Sequence, residues 1–478
     1  MLGRHTLFYL LARALPGAVN FIAIAFYTRL LSPGEYGQYT LLLSTAALLN
    51  VVCFQWLRVG LLRYLPMYEA ERKDAFMGTV WTGCLLIMGI TGAGLCVVGS
   101  LGWLPTGLPW GLVLGTLWIF ACFDLFLEAA RSGLSPIRYG ILSISKSVLT
   151  VATGVGFAYF GLGGRGLVYG LMIGMVVPLA FFGQMIWRQV RPSLLDRAIL
   201  RQLWQYGWPL TLTFSLGYLI YSSDRFLLGY FLGEEMTGTY AVSYDLTQQT
   251  LVLVMVVVNL ASYPLIVRAL EDKGIEEAAQ RLKSAAVLLL TVSLPMTVVF
   301  ISLATNISDV LFGASFRTVA AQIMPWIAIS AFLQGFKSYY LDQAFQLGRK
   351  TSLQIWPVLG ALVINLLLNV WWIPIWGVLG SAYAACCAYG FACLTSWALG
   401  RRVFPMHLPL REFAKTLLAS GLLALMFALL SGWSGIVALV VQGVVGAVVY
   451  LGVVLVFNVG GVRQQVRAMR SRRTGERV

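Results

Sequence analysis

The feature that most constrains this chain is a series of about fourteen long apolar segments, whose connecting loops alternate between basic and nearly charge-free. A spanning helix needs about 20 apolar residues to cross about 30 Å of hydrocarbon. The loops on one side carry most of the lysines and arginines, whereas those on the other carry only Arg29, Arg165 and Arg317. The positive-inside rule therefore predicts that the basic side is cytoplasmic and that both termini lie on it.

Composition supports the membrane prediction. The chain is 59% hydrophobic and 11% charged, with a mean hydropathy of +0.80, against about 25% charged residues in soluble domains. Its formal net charge of +15 lies mostly in short loops beside apolar segments. That placement indicates that the basic residues set the membrane topology and contact anionic lipid head groups. It does not indicate a nucleic-acid partner. The seven cysteines fall within the apolar segments, and their spacing predicts neither a disulfide framework nor a metal site.

Polar and Gly/Pro-rich breaks divide the apolar sequence into separate segments, which predicts an all-α integral membrane protein with about 14 transmembrane helices. The predicted spans are roughly 7–31, 37–65, 76–100, 110–131, 139–160, 166–187, 204–231, 237–264, 284–304, 319–346, 352–372, 377–400, 412–431 and 433–457. Residues 265–283 form one of the longer predicted cytoplasmic connections. Their charged residues recur at helical spacing. This pattern indicates a short interfacial helix or a solvated connector.

The first half of the chain repeats in the second. Leu-Ser-Pro-Gly-Glu-Tyr-Gly-Gln-Tyr at 31–39 matches Leu-Gly-Glu-Glu-Met-Thr-Gly-Thr-Tyr at 232–240 in its leucine, its second glycine and its final tyrosine, each 201 positions apart. A Gly-x-x-Gly-x-x-Tyr pattern opens span six at 163–169 and span twelve at 377–383. Because an even number of spans separates the copies, the repeats are parallel and related by a pseudo-twofold axis along the membrane normal.

These repeats predict the domain organisation. Two six-helix bundles occupy 1–187 and 204–400, joined by a cytoplasmic linker at 188–203. Two additional transmembrane helices follow at 401–457, and a basic cytoplasmic tail occupies 458–478.

Two stretches carry a family resemblance. Residues 27–39 with 60–64, and residues 224–235 with 238–240, closely resemble bacterial polysaccharide transporters. These are Wzx-type flippases of the multidrug/oligosaccharidyl-lipid/polysaccharide exporter superfamily. The resemblance covers the whole chain in layout and rests on about forty residues in motif.

The resemblance implies a multi-pass protein of the bacterial inner membrane that moves undecaprenyl-diphosphate-linked oligosaccharide to the periplasmic leaflet by alternating access. The cargo would be a repeat unit of O-antigen, exopolysaccharide or capsule. Implied partners are this polyprenyl-diphosphate-linked glycan, membrane lipids, and the polysaccharide polymerase and chain-length machinery.

Charged side chains at bilayer depth are costly and usually face a cavity. Arginine and lysine attract phosphate, and tyrosine and asparagine form hydrogen bonds with sugar hydroxyls. The predicted substrate-binding residues are Arg13, Arg58, Lys146, Arg225, Lys337, Asn20, Tyr221, Asn365 and Asn369. The alternative is that long cationic side chains near span ends reach to the head groups.

Asp124 and Glu128 share one face of span four with Arg131. Two carboxylates within a span predict an ion-coupling site for H⁺ or Na⁺. The alternative is an ion-pair network with Arg13, Arg58 or Lys146. Asp245 and Asp342 are candidate gate residues or interhelical partners. We expect no other cofactor.

Two other functions remain open. A multidrug-type cation-coupled exporter would favour an anionic cavity, and the equal numbers of acids and cations at membrane depth do not exclude it. A membrane glycan polymerase or glycosyltransferase usually has a large outer loop or an acidic metal-binding motif. The outer loops here are short and poor in acids, and no catalytic motif is visible. The sequence therefore favours a transporter over an enzyme.

Overall fold

The computed structural model describes the backbone of residues 2–68, 70–103, 107–132, 136–182 and 195–463, and the side chains of these residues except 2–14, 70–72 and 136. Within these ranges every regular element is a helix. The helices are α1 Leu2–Leu30, α2 Pro33–Tyr64, α3 Ala70–Ser100, α4 Trp110–Ser132, α5 Pro136–Tyr159, α6 Gly163–Phe182, α7 Arg197–Lys273, α8 Ile275–Ser302, α9 Ala304–Leu311, α10 Ala314–Phe336, α11 Gln343–Leu347, α12 Ile355–Trp376, α13 Val378–Gly400, α14 Leu410–Leu429 and α15 Ile436–Phe457. A π-helical turn, Lys337–Leu341, lies between α10 and α11.

In the described part of the chain, 12 helices are long and apolar enough to cross a membrane. That number counts α7 once, although its 77 residues suffice for two crossings, and it omits α1, whose apolar stretch Leu15–Leu30 is shorter. The predicted all-α fold with about 14 spans is therefore confirmed, and the chain is a multi-pass membrane protein.

The repeated motif at 31–39 and 232–240 begins a helix in both copies. Ser32 caps α2: its hydroxyl accepts a hydrogen bond from the Glu35 amide at 3.3 Å, and the Glu35 carboxylate accepts one from the Ser32 amide at 2.8 Å. At the equivalent position of α7, Gly233 has φ 81° and ψ −176°, a conformation open essentially to glycine. The predicted connection between spans seven and eight is thus a one-residue bend in a continuous helical run.

The second repeated motif also has one structural role in both copies. Gly163 and Gly377 have φ of 57° and 60° where α6 and α13 begin. A Cβ added at Gly166 would crowd Phe157 of α5, and one at Gly380 would overlap the carbonyl of Trp372 of α12. Each motif therefore lets a helix pack closely on the helix before it.

The chain forms two compact units, Met1–Ala241 and Val242–Val478, so that α7 contributes to both. In the first unit, α2, α3, α4 and the start of α7 share an apolar core around Phe54, Phe76 and Leu203. In the second unit, α14 packs on α8, and the Tyr450 hydroxyl of α15 donates to the Thr291 carbonyl of α8 at 2.7 Å. The predicted bundle and linker boundaries stay a prediction.

The prediction for residues 265–283 is wrong. Helix α7 continues to Lys273, and α8 begins at Ile275 after the single residue Gly274, whose φ is 88°. The charged residues of this segment belong to the ends of two long helices. A positive-φ glycine can break a helix within one residue, which the charge pattern does not reveal.

Candidate functional site

The predicted residues Arg58 and Asp124 meet in the first unit. Arg58 lies six residues, or about 9 Å, before the end of α2, on the side predicted to be cytoplasmic. Its Nη1 is 3.0 Å from Oδ2 of Asp124 on α4, and the two side chains are 20% and 21% exposed. The Nδ2 of Asn50, two turns away on α2, donates to the same Oδ2 at 2.9 Å. One carboxylate oxygen therefore receives two donors from one helix.

Lys146 of α5 completes this group. Its Nζ lies 5.1 Å from the ring centroid of Phe123, a cation–π distance. Asp124 attracts the ammonium and Arg58 repels it. We call Asn50, Arg58, Phe123, Asp124 and Lys146 the inner cluster. It joins two cations to one carboxylate, which leaves one excess positive charge.

Glu128 lies one turn beyond Asp124 on α4. Its Oε2 is 3.5 Å from Nη1 of Arg131, which is 45% exposed. On this face of α4, Asp124 therefore forms a close ion pair with Arg58 of α2, and Glu128 forms a longer one with Arg131 of α4 itself.

Two predicted residues belong to α1. Asn20 is exposed. Arg13 lies on α1, but its side chain is outside the described residues.

Arg225 of α7 is only 4% exposed. Its guanidinium lies over the ring of Tyr221 at 5.1 Å, with Nη2 donating to the tyrosine hydroxyl at 3.4 Å, and its Nη1 donates to Ser44 Oγ of α2 at 3.4 Å. The adjacent Asp224 accepts a hydrogen bond from the Tyr240 hydroxyl at 2.7 Å. Such burial does not fit a side chain that extends to the lipid head groups.

The two copies of the repeated motif contact each other, which the sequence did not predict. A Cβ added at Gly37 would overlap the carbonyl of Glu234, and one added at Gly238 would overlap the carbonyl of Pro33. Since 33 and 37 correspond to 234 and 238 in the repeat, the contact is reciprocal. Gln38 Nε2 also donates to Glu234 Oε2 at 2.7 Å. We call these five residues the outer seam, because they lie at the helix ends predicted to be periplasmic.

Lys337 has a different setting, in the π-helical turn of the second unit. Its Nζ is 2.6 Å from Asp342 Oδ2, and the two side chains are only 7% and 2% exposed. Asp342 also accepts from Gln354 Nε2 at 3.0 Å and from Ser396 Oγ of α13 at 2.8 Å. Asp342 is thus an interhelical partner, one of its two predicted roles, and the pair is buried.

The last two predicted residues, Asn365 and Asn369, are buried on α12. Asn369 Nδ2 donates to the Asn365 carbonyl at 2.9 Å. A cavity of about 520 Å³ lies elsewhere in the second unit, and its polar wall includes Glu277, Gln280 and Arg281 of α8. None of the predicted site residues whose side chains the structure describes lines it. Among the described side chains, no group of three or more His, Cys, Asp or Glu residues could hold a metal ion.

Comparison with known proteins gives a family and a fold. A family model described as "Polysaccharide biosynthesis protein" matches residues 26–321. The probable low-salt glycan biosynthesis flippase Agl15 of Haloferax volcanii is 25% identical over 252 residues, which is 52% of each chain. The match thus spans about half the length of this curated relative.

Two solved structures are similar over most of their length. The lipid II flippase MurJ, in an inward closed conformation, matches with a TM-score of 0.73 at 15% identity, over 94% of this chain and 98% of that chain. An inward-facing multidrug resistance MATE family transporter of the MOP superfamily matches with a TM-score of 0.61 at 13% identity, over 82% of this chain and 97% of that one. At these identities the likeness shows that the chain has the MurJ and MATE transporter fold.

Proposed function

This chain belongs to the family of polysaccharide biosynthesis proteins, and on that premise we propose that it is a flippase for lipid-linked glycan. The proposed cargo is undecaprenyl-diphosphate-linked oligosaccharide, a repeat unit of O-antigen, exopolysaccharide or capsule, which crosses the bacterial inner membrane by alternating access. Two proteins similar to this chain, Agl15 and MurJ, bear the name flippase. Polymerase and chain-length proteins would be its partners in the membrane.

The observation that carries this proposal is the inner cluster. Arg58 and Lys146 belong to helices that are long and apolar enough to cross a membrane. Arg58 remains partly exposed, and the two cations outnumber the one carboxylate of the cluster. A diphosphate carries two or three negative charges, and two cations in a partly dry site attract it strongly. Arg13 and Asn20 of α1 are proposed as further contacts, to phosphate and sugar respectively.

The remaining predicted residues receive different proposed roles. Tyr221, Arg225, Asn365 and Asn369 would contact the glycan along its path. Lys337 would instead stabilise the second unit, since its ammonium is paired with the Asp342 carboxylate at 2.6 Å. Asp124 or Glu128 would take part in coupling to H⁺ or Na⁺.

Alternating access also needs a barrier on the far side of the cargo. We propose that the outer seam is this barrier, because there the backbones of α2 and α7 are too close to admit even a Cβ atom. Release of the glycan would require the seam to open. Because the contact is reciprocal, separation of α2 from the residues around Gly238 would release both glycine contacts together.

A multidrug-type cation-coupled exporter is the second candidate, because MATE transporters share the fold. The excess positive charge of the inner cluster favours an anionic cargo over an organic cation. The enzymatic alternative, a glycan polymerase or glycosyltransferase, gains no support from relatives whose names describe transporters.

The proposal is tested by transport in vesicles that contain the full chain and a fluorescent undecaprenyl-diphosphate-linked oligosaccharide. Replacing both Arg58 and Lys146 with Gln should slow translocation by at least about tenfold, since each hydrogen bond to a charged group contributes about 1.5–3 kcal/mol and about 1.4 kcal/mol is a factor of ten. Lys415→Gln is the matched control, because the Lys415–Glu412 pair has a similar distance, 2.8 Å, and similar exposure, 24% and 21%. Equal rates in wild type, double variant and control would contradict the proposed site.

A further inference from the structure

The ion pair of the inner cluster has the geometry of a phosphate contact. Asp124 Oδ2 receives Nη1 of Arg58 at 3.0 Å and Nδ2 of Asn50 at 2.9 Å. Guanidinium and amide donors that converge on one anionic oxygen are an arrangement that binds phosphate equally well. The carboxylate oxygen therefore occupies the position where a phosphate oxygen could lie.

The Arg58–Asp124 pair is partly exposed, whereas the Lys337–Asp342 pair is buried. Asp124 is 21% exposed, and Arg58 reaches it through Nη1, while the buried Nε of Arg58 has no hydrogen-bond partner in the described part of the chain. Asp342, by contrast, is 2% exposed and has donors from three residues. A ligand with several oxygens could use more of the Arg58 guanidinium than Asp124 does.

The Asp124 carboxylate and a phosphate of the cargo would compete for the same two cations. With Asp124 in place, the inner cluster has one excess positive charge, so a bound diphosphate would leave the site with a net negative charge. With Asp124 moved away from Arg58, the two cations match a dianion. Carboxylate and phosphate repel each other at contact distance in a partly dry site, so both do not remain on Arg58.

We propose that Asp124 is a resident counter-anion. In the empty carrier its carboxylate occupies the place on Arg58 and Asn50 that a phosphate oxygen of the cargo takes, and cargo binding displaces it. This inference rests on the proposed flippase function. It makes Asp124 a specificity-determining residue: a group with two or more negative charges can displace a carboxylate, whereas the single charge of an abundant phospholipid such as phosphatidylglycerol gains nothing by the exchange.

The test measures binding of undecaprenyl diphosphate to the purified full chain in detergent, with phosphatidylglycerol as competitor. Asp124→Asn removes the competing charge and keeps the shape of the side chain. We expect it to bind the diphosphate about tenfold more tightly than wild type does, and to be inhibited by phosphatidylglycerol at concentrations that leave wild type unaffected. Arg58→Gln should abolish the gain when it is combined with Asp124→Asn.

Two controls separate the possible outcomes. Glu412→Gln removes a carboxylate of similar exposure outside the inner cluster and should leave the affinity unchanged. Asp124→Ala, checked for a native melting curve, keeps the test valid if the Asn variant folds poorly. Unchanged or weaker binding by both Asp124 variants would overturn this inference alone. Absence of diphosphate binding by wild type would overturn the proposed function as well.

Discussion

At the scale of single residues, the membrane part of this chain uses ion pairs in two ways. Lys337 and Asp342 are buried, and the carboxylate has three donors, whereas Arg58 and Asp124 remain partly exposed. Removing one member of a buried pair leaves an uncompensated charge, at a cost of about 3–5 kcal/mol. A partly exposed pair contributes only about 0–1 kcal/mol, because solvent screens it. Loss of one member of the first pair should therefore cost much more stability than loss of one member of the second.

This contrast gives a prediction for stability. Asp342→Asn should lower the free energy of unfolding by about 3–5 kcal/mol, because it leaves the buried Lys337 ammonium without its anion. Asp124→Asn should lower it by about 1 kcal/mol or less. Chemical denaturation of the two purified variants beside wild type measures both values. Similar losses in the two variants would contradict the distinction between the pairs.

The sequence analysis gave Arg58 as an alternative ion-pair partner of Asp124. It did not identify Asn50 as the second donor to Asp124, or Asp342 as the partner of Lys337. Asn50 could have been found, since it lies eight residues before Arg58 on the same helix, about two turns away. The Lys337–Asp342 pair could not, because residues five apart lie on different faces of a regular α-helix. The π-helical turn brings them together, and nothing in its sequence marks that turn.

At the scale of helices, glycines decide where elements end and how closely they approach. Sequence matching placed the repeated motifs at equivalent positions, and the structure gives both the same role at a helix start. It could not show that the copies contact each other, because similarity indicates equivalent positions and not proximity. The reciprocal contact at the outer seam is therefore information that only the fold provides.

The outer seam predicts that alanine has opposite effects on the free energy of unfolding at two neighbouring glycines of α2. Gly37→Ala should lower the free energy of unfolding by about 1–3 kcal/mol, because its Cβ would overlap the Glu234 carbonyl and force α2 from α7. Gly34→Ala, in the same first turns of α2 but with no atom within 4 Å of its Cβ, should be neutral or stabilising by up to about 1 kcal/mol.

Both alanine variants can be measured by chemical denaturation and by translocation in vesicles. If the seam is the outer barrier, Gly37→Ala should also change the translocation rate, while Gly34→Ala leaves it at the wild-type value. Equal stability of the two variants would show that α2 and α7 do not approach each other as described.

At the scale of the whole molecule, the sequence predicted the spanning helices well for a physical reason. In hydrocarbon every backbone polar group must be bonded within its own helix, so each crossing leaves a long apolar stretch in the sequence. Even the last two spans, separated by a short break, are separate helices, α14 and α15. The interfacial segment was mispredicted because charge spacing describes a surface helix and the end of a spanning helix equally well.

We expect this chain to carry an anionic, lipid-linked glycan and not an organic cation. The most direct measurement follows two fluorescent cargoes in the same vesicles containing the wild-type chain: an undecaprenyl-diphosphate-linked oligosaccharide and a lipophilic organic cation. The positive excess of the inner cluster predicts rapid transfer of the glycan between leaflets, with the cation moving no faster than in protein-free vesicles. Transfer of the cation without transfer of the glycan would contradict the claim and identify a multidrug-type exporter.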